Sequence, residues 1–269
     1  MPAWAREAAA LVTFFAFSHG WTFALWAIAA ALPGTVWEPP GRAWFLMGGA
    51  GVLLAGLITV VRFDGRPGLA DLARRTFDAR RAGPAPWAVA LLFAPFSTLA
   101  AAGLVRAVAP DAAALAPALP AGSAVDVLAV AALLLVLGPL PEEIGWRGVL
   151  LDRLLRRTGP LAATAVVALA WWSWHLPLHL IPGYYAPFAH PPGLGSQLVG
   201  IAAAAVLSTW LYLRSARSVL VVVAFHWSVN LTGEWLRPAP PVDAVQLALA
   251  LVAAAVVAGL GLPRRARAP

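Results

Sequence analysis

Pro139-Leu140-Pro141-Glu142-Glu143-Ile144-Gly145-Trp146-Arg147-Gly148 is the stretch from which the chain is best read. Two adjacent carboxylates and an arginine close the apolar run Val125–Leu140, which is long enough to be a membrane helix. Each ionisable group at such a depth costs about 2.5–3.5 kcal/mol even on lenient insertion scales. Groups of this kind face the protein interior or a wet cavity and mark function by default. The rest of the chain reads as a scaffold around this stretch, with two later histidine clusters able to face it.

Composition supports the membrane setting. The 269 residues are 61% hydrophobic and 12% charged, with a mean hydropathy of +0.78. A soluble domain is nearer half apolar and a quarter charged. The expected fold is all-α, a polytopic membrane helix bundle forming one transmembrane domain over residues 1–269. There is no cysteine, which excludes thiol catalysis, disulfides and thiolate-held metals. The net charge is +7 and all 19 basic residues are arginine. They sit in short loops between apolar stretches, so they read as orienting charges for a lipid bilayer and not as a nucleic-acid surface. The arginine-only, alanine-rich composition looks bacterial. Met1–Arg6 is short, and the apolar run after it is too long for a cleaved signal peptide, so it reads as the approach to the first span.

Eight spans are expected: Ala8–Leu32, Trp44–Val61, Trp87–Val108, Ala124–Leu140 continuing through the Glu-Glu stretch, Leu161–Leu180, Gln197–Leu213, Val219–Leu236 and Val245–Leu262. Proline and glycine clusters, among them Pro39-Pro40-Gly41, Gly159-Pro160 and Pro238–Pro241, fall between them. Arginines follow the second span (Arg62, Arg66, Arg74, Arg75, Arg80, Arg81), the fourth (Arg153, Arg156, Arg157), the sixth (Arg214, Arg217) and the eighth (Arg264, Arg265, Arg267). The opposite loops hold Arg42 and Arg237. This alternation places both termini in the cytoplasm of a cell with the chain in its inner membrane. The loop Arg62–Gly83 (amphipathic segment about 62–85) carries Leu69, Leu72, Ala73 and Phe77 at near-helical spacing, which predicts a short helix lying on the membrane surface as an anchor.

Three clusters carry chemistry. In a helix Glu143 and Arg147 share a face, so the arginine keeps Glu143 ionised. Glu142 lies about 100° around the axis and is a chemically separate carboxylate. One paired and one free carboxylate divide into an orienting group and a base. The plainer reading is an interfacial charge cluster closing the fourth span. The second cluster, Trp171-Trp172-Ser173-Trp174-His175-Leu176-Pro177-Leu178-His179, supplies a proton carrier or water-positioning group in His175. Its plainer reading is an aromatic belt, which is preferred for His179. His175 and His179 also stand at metal-ligand spacing, with Glu142 as a third ligand, but the His-Glu-x-x-His form is absent. No cofactor is expected, and zinc is not favoured. In the third cluster His226 and Asn230 share a face and suit a developing oxyanion; the alternative is an interhelical polar clamp. His19 is expected to pack between helices, and His190 and Glu234 to lie near outer ends. Ser173, Ser208 and Ser228 have no serine-protease signature around them.

In this order the clusters resemble the CPBP family of intramembrane proteins, which includes the CAAX prenyl endopeptidases of type Rce1. The family pattern is Glu-Glu-x-x-x-Arg, an aromatic with histidine four residues later, and His-x-x-x-Asn. Here it reads Glu142-Glu143-x-x-x-Arg147, Trp171-x-x-x-His175 and His226-x-x-x-Asn230, with tryptophan where the family often has phenylalanine. The resemblance covers about 139–231 and implies a glutamate-dependent intramembrane peptidase of eight helices. It implies Glu142 as general base on a water that His175 helps hold, support from Glu143 and Arg147, and oxyanion stabilisation by His226 and Asn230. The substrate would be a membrane-associated or lipid-linked protein or peptide, without prenyl specificity being carried over. Two other classes compete: a non-catalytic membrane partner such as a bacteriocin self-immunity or scaffolding protein, and a transporter with Glu142 and His175 as a proton relay. Counted from the arginines, His175 lies deeper than Glu142, so convergence requires a tilted fifth span or a break near Pro177.

Overall fold

Apolar runs of this length bury their backbone polar groups within helices, because lipid offers no other partner. The structure, a computed structural model, describes residues 2–117, 123–186 and 191–262. Among these, eight helices are long and apolar enough to cross a membrane. In chain order they are α1 (Ala3–Ala31), α2 (Gly41–Phe63), α4 (Pro84–Val108), α5 (Ala124–Leu154), α6 (Pro160–His179), α7 (Leu194–Arg214), α8 (Val219–Leu236) and α9 (Pro240–Gly259). A ninth helix, α3 (Gly65–Phe77), follows α2 almost without a break. The eight expected spans are all present. The first and the last each begin five residues early, at Ala3 and at Pro240; in the last, Pro240 and Pro241 open the helix and do not interrupt it, as proline at the first helical positions does. His190 and Arg264, Arg265 and Arg267 lie outside the described residues.

The bundle is organised by α5. Its first half, Ala124–Leu137, faces outward and buries Ala131 alone. At Gly138 the backbone leaves helical geometry (φ −119°, ψ −91°), and Pro139 starts a new helical turn. From Pro141 to Leu150 every residue is buried. Here α5 is enclosed by α2, α3, α6 and α8. The stretch Trp146–Leu151 is a π-turn, and α1 contains another at Ala16–Trp21. The bundle is completed by α4 packed on α8 and α9, and by α7 between α6 and α9.

Close crossing of α2 and α5 requires glycine. A Cβ at Gly145 would stand 2.4 Å from the Val52 carbonyl oxygen, and one at Gly56 would stand 3.2 Å from the Gly145 Cα. Small residues at crossings let membrane helices approach this closely.

The arginine-bearing loops gather with the N-terminal turn at one end, as their alternation predicts. Arg153 pairs with Glu7 and Asp64, and Arg157 donates to the Ala3 carbonyl. Several of these arginines do more than orient the chain, because Arg75 and Arg153 are buried. The expected apolar face of α3 is also revised. Leu72 is buried, but its companions are Arg75 and Thr76, whereas Leu69, Ala73 and Phe77 are exposed. The helix is docked on the bundle by one face and presents the other outward.

Replacement of Gly145 by valine forces backbone apart, so it is expected to lower stability by more than about 2 kcal/mol. Gly103→Ala, whose added carbon meets nothing within 4 Å, is expected to be neutral or slightly stabilising. Detergent-based unfolding titrations compare the two.

Candidate active site

The centre begins with the i,i+4 spacing on α5. Arg147 Nη1 donates to Glu143 Oε1 at 2.9 Å, and both side chains are fully buried. The same Oε1 lies 2.9 Å from His226 Nδ1 on α8. Because a carboxylate accepts, this nitrogen carries the proton and Nε2 is the free ring nitrogen. The Arg147 guanidinium lies 4.4 Å from the centroid of the Trp171 ring, so its charge is met by a carboxylate on one side and an aromatic face on another. Glu143 Oε2 and Arg147 Nε and Nη2 have no hydrogen-bond partner among the described residues. The cluster is therefore enclosed by the bundle and not displayed on its surface.

Glu142 differs from its neighbour. It is 9% exposed, forms no ion pair among the described residues, and accepts one hydrogen bond through Oε2, from Trp171 Nε1 at 2.8 Å. Trp171 also packs edge-on against His226, with centroids 5.2 Å apart. One indole thus touches Glu142, Arg147 and His226. In the sequence this position reads only as the aromatic four residues before His175. The signal for more was the substitution itself, since tryptophan brings a donor that phenylalanine lacks.

His175 stands one helical turn beyond Trp171. Its Nδ1 is 2.7 Å from the Trp171 carbonyl oxygen, which accepts, so this is the protonated nitrogen and Nε2 is an acceptor. Trp174 meets the ring edge-on at 4.9 Å. The α-helix ends at His175 and continues as a 3₁₀ turn, Leu176–His179, so the break falls beside Pro177. Trp171, one turn before His175, is the residue of this cluster that reaches Glu142 directly. Asn230 lies against the helix break, its Nδ2 3.9 Å from where a Cβ on Gly138 would stand.

His179 faces Gln197 Oε1 at 3.2 Å and Tyr185 Oη at 3.3 Å. No group of three or more His, Asp or Glu among the described residues is arranged to hold a metal ion. The donor set that the spacing offered for zinc is therefore divided between two places. His19 packs between helices as expected, with Nε2 3.2 Å from the Ala170 carbonyl and 3.1 Å from Ser173 Oγ, and so braces the turn of α6 that carries Trp171.

Fold and centre together define a multi-pass membrane protein built around a buried carboxylate–arginine–histidine cluster on a broken span. Residues 124–232 match the family described as Type II CAAX prenyl endopeptidase Rce1-like. Over that segment, from α5 to α8, the chain is similar to the Rce1-like CAAX prenyl endopeptidases. It is 29% identical over 128 residues to the CAAX prenyl protease 2 of Methanococcus maripaludis, an alignment covering 46% of this chain and 47% of that protein. The chain thus spans about half the length of the curated relative it matches.

Removing one partner of a buried pair strands a charge. Arg147→Leu is expected to destabilise the bundle by about 3–5 kcal/mol, and the double variant Glu143→Leu/Arg147→Leu by less. Unfolding titrations of the two variants in mixed micelles measure the difference.

Proposed function

We propose that the protein is an intramembrane endopeptidase in which Glu142 activates water against a peptide bond. The observation that carries this reading is the division of labour between adjacent carboxylates. Glu143 is committed to Arg147 and His226, while among the described residues Glu142 has a single indole donor and no ion-pair partner. A carboxylate not held in an ion pair keeps an oxygen available to take a proton from water.

In this reading one water donates its two hydrogens to Glu142 Oε1 and His175 Nε2, which leaves an oxygen lone pair free for the carbonyl carbon. Attack forms the C–O bond and passes a proton to Glu142. The carbonyl oxygen becomes an oxyanion that accepts from Asn230 Nδ2, with His226 beside it on the same helix face. Glu142 then returns the proton to the leaving nitrogen as the C–N bond breaks. Trp171 occupies Oε2 and restricts the transfer to Oε1. The arginine-rich end faces the cytoplasm, and the substrate is a membrane-associated or lipid-linked peptide.

The test uses the purified chain in nanodiscs with an internally quenched peptide ending in a farnesylated CAAX sequence, a probe suggested by the name of the relative, and its unprenylated counterpart. Wild type is expected to cleave. Glu142→Gln and His175→Ala are expected to lower kcat by about 10²–10⁴-fold with an unchanged unfolding midpoint. Cleavage that survives Glu142→Gln overturns the mechanism and leaves the non-catalytic partner as the better reading.

Trp171→Phe keeps a ring over Arg147 and removes the donor to Glu142. It is expected to lower kcat about tenfold, the weight of one hydrogen bond to a charged group, with KM unchanged. Initial-rate measurements on the same probe decide it.

A further inference from the structure

The helix α3 was expected to be an anchor on the membrane surface, yet it delivers a buried cation to the broken span. Arg75 is 3% exposed, unlike Arg66, Arg74 and Arg80 on the same segment. Its Nη1 donates to the Gly148 carbonyl oxygen at 2.9 Å and to Tyr212 Oη at 2.8 Å. Its Nε donates to Asp71 Oδ2 at 2.7 Å. Gly148 lies inside the π-turn Trp146–Leu151, next to Arg147. Leu72, one turn before Arg75, closes on the same residue, since a Cβ at Gly148 would stand 2.8 Å from Leu72 Cδ1.

The far side of this contact is fixed as well. The Tyr212 hydroxyl donates to Asp152 Oδ1 at 3.0 Å, and Arg217 Nη2 pairs with the same oxygen at 2.7 Å. Asp152 immediately follows the π-turn. Burial works against the charge on Arg75, but Tyr212, Asp152 and Asp71 outweigh it, with Arg217 opposing, and hold its pKa above the ordinary arginine value. A cation committed to topology alone has no need of a backbone carbonyl in the middle of another span.

We infer that Arg75 is a positioning residue for the buried centre: its bond to the Gly148 carbonyl holds the π-turn from which Arg147, and one turn back Glu143, are presented to His226 and Trp171. A π-turn is a local departure from the ordinary helix and persists where its surroundings hold it. Charge-assisted bonds from a rigid, planar donor set are suited to that task. The consequence for catalysis rests on the peptidase reading above; the consequence for the turn does not.

The experiment pairs hydrogen exchange with kinetics on the full chain in nanodiscs. Arg75→Met is expected to speed amide exchange across 145–153 by at least about tenfold while leaving α7 and α9 unchanged, and to lower kcat on the farnesylated probe about tenfold at unchanged KM. Arg75→Lys, which keeps one donor for the carbonyl, is expected to recover most of kcat. Tyr212→Phe, which preserves the packed volume and removes the hydroxyl between Arg75 and Asp152, is expected to show the same pattern more weakly, and it carries the comparison if Arg75→Met does not fold. Faster exchange throughout the bundle, with kcat per folded molecule unchanged, would mean a merely structural role and overturns the inference. If wild type does not cut the probe, the peptidase reading has failed, and unchanged exchange across 145–153 is then what overturns the role of Arg75.

Discussion

Everything in this bundle is arranged around the Glu143–Arg147 ion pair. Two charges withdrawn from water recover their solvation only through close geometry and further polar partners. The pair lies in a fully buried turn of α5 and has one direct contact at 2.9 Å. What surrounds it compensates: the Trp171 face under the guanidinium and His226 on the shared oxygen. This dependence explains why α5 breaks at Gly138. A straight helix of this composition would keep the outward-facing course of Ala124–Leu137. The break lets its second half enter the core, where the carboxylates can be enclosed.

The enclosure has two layers. On the inner side, α1 contributes Phe14 and His19 against Trp146, and Trp174 donates to Thr22 Oγ1 at 3.1 Å. Trp174 in turn sets the edge of the His175 ring. On the outer side, the arginine-rich end forms a connected set of acids and bases joining Arg75, Tyr212, Asp152, Arg217 and Asp71. The residues Ala216 and Arg217 take up left-handed backbone angles, with φ of 51° and 64°, a conformation that is uncommon outside glycine. That tight turn between α7 and α8 is what brings Arg217 over Asp152.

Much of this was legible in the chain. The spans show as long apolar runs bounded by proline and glycine, and the Glu143–Arg147 contact follows from helical periodicity alone. The side on which arginines collect follows from their alternation. Contacts between elements were less readable. The bond from His226 to Glu143 crosses 83 residues of sequence, and the spacing of His226 with Asn230 pointed to a shared face without revealing that one ring nitrogen was already committed. Trp171 and phenylalanine are nearly equivalent as apolar bulk, so only the indole donor separates a wall from a hydrogen-bonding partner. On α3 the apolar spacing grouped Leu72 with Leu69, Ala73 and Phe77. The docked face instead follows Leu72, Arg75 and Thr76, because the Gly148 surface accepts a leucine beside a cation that a carbonyl can satisfy. An arginine in a loop looks the same in sequence whether it faces water or a buried carbonyl.

The π-turn at Trp146–Leu151 also sets a phase. A widened turn accommodates one residue more than the regular helix, and each residue advances the helix by about 100°. Glu142 and Glu143 lie before it, while Asp152 and Arg153 lie after it and engage a different set of partners. The turn therefore works as a spacer that tunes the angle between two polar layers stacked along one span. Loss of a single residue there would restore an ordinary helix and swing one layer away from its partners while the other stayed in register. The span can thus absorb length changes in its outward-facing first half, but in this segment its residue count is as constrained as its residue identities.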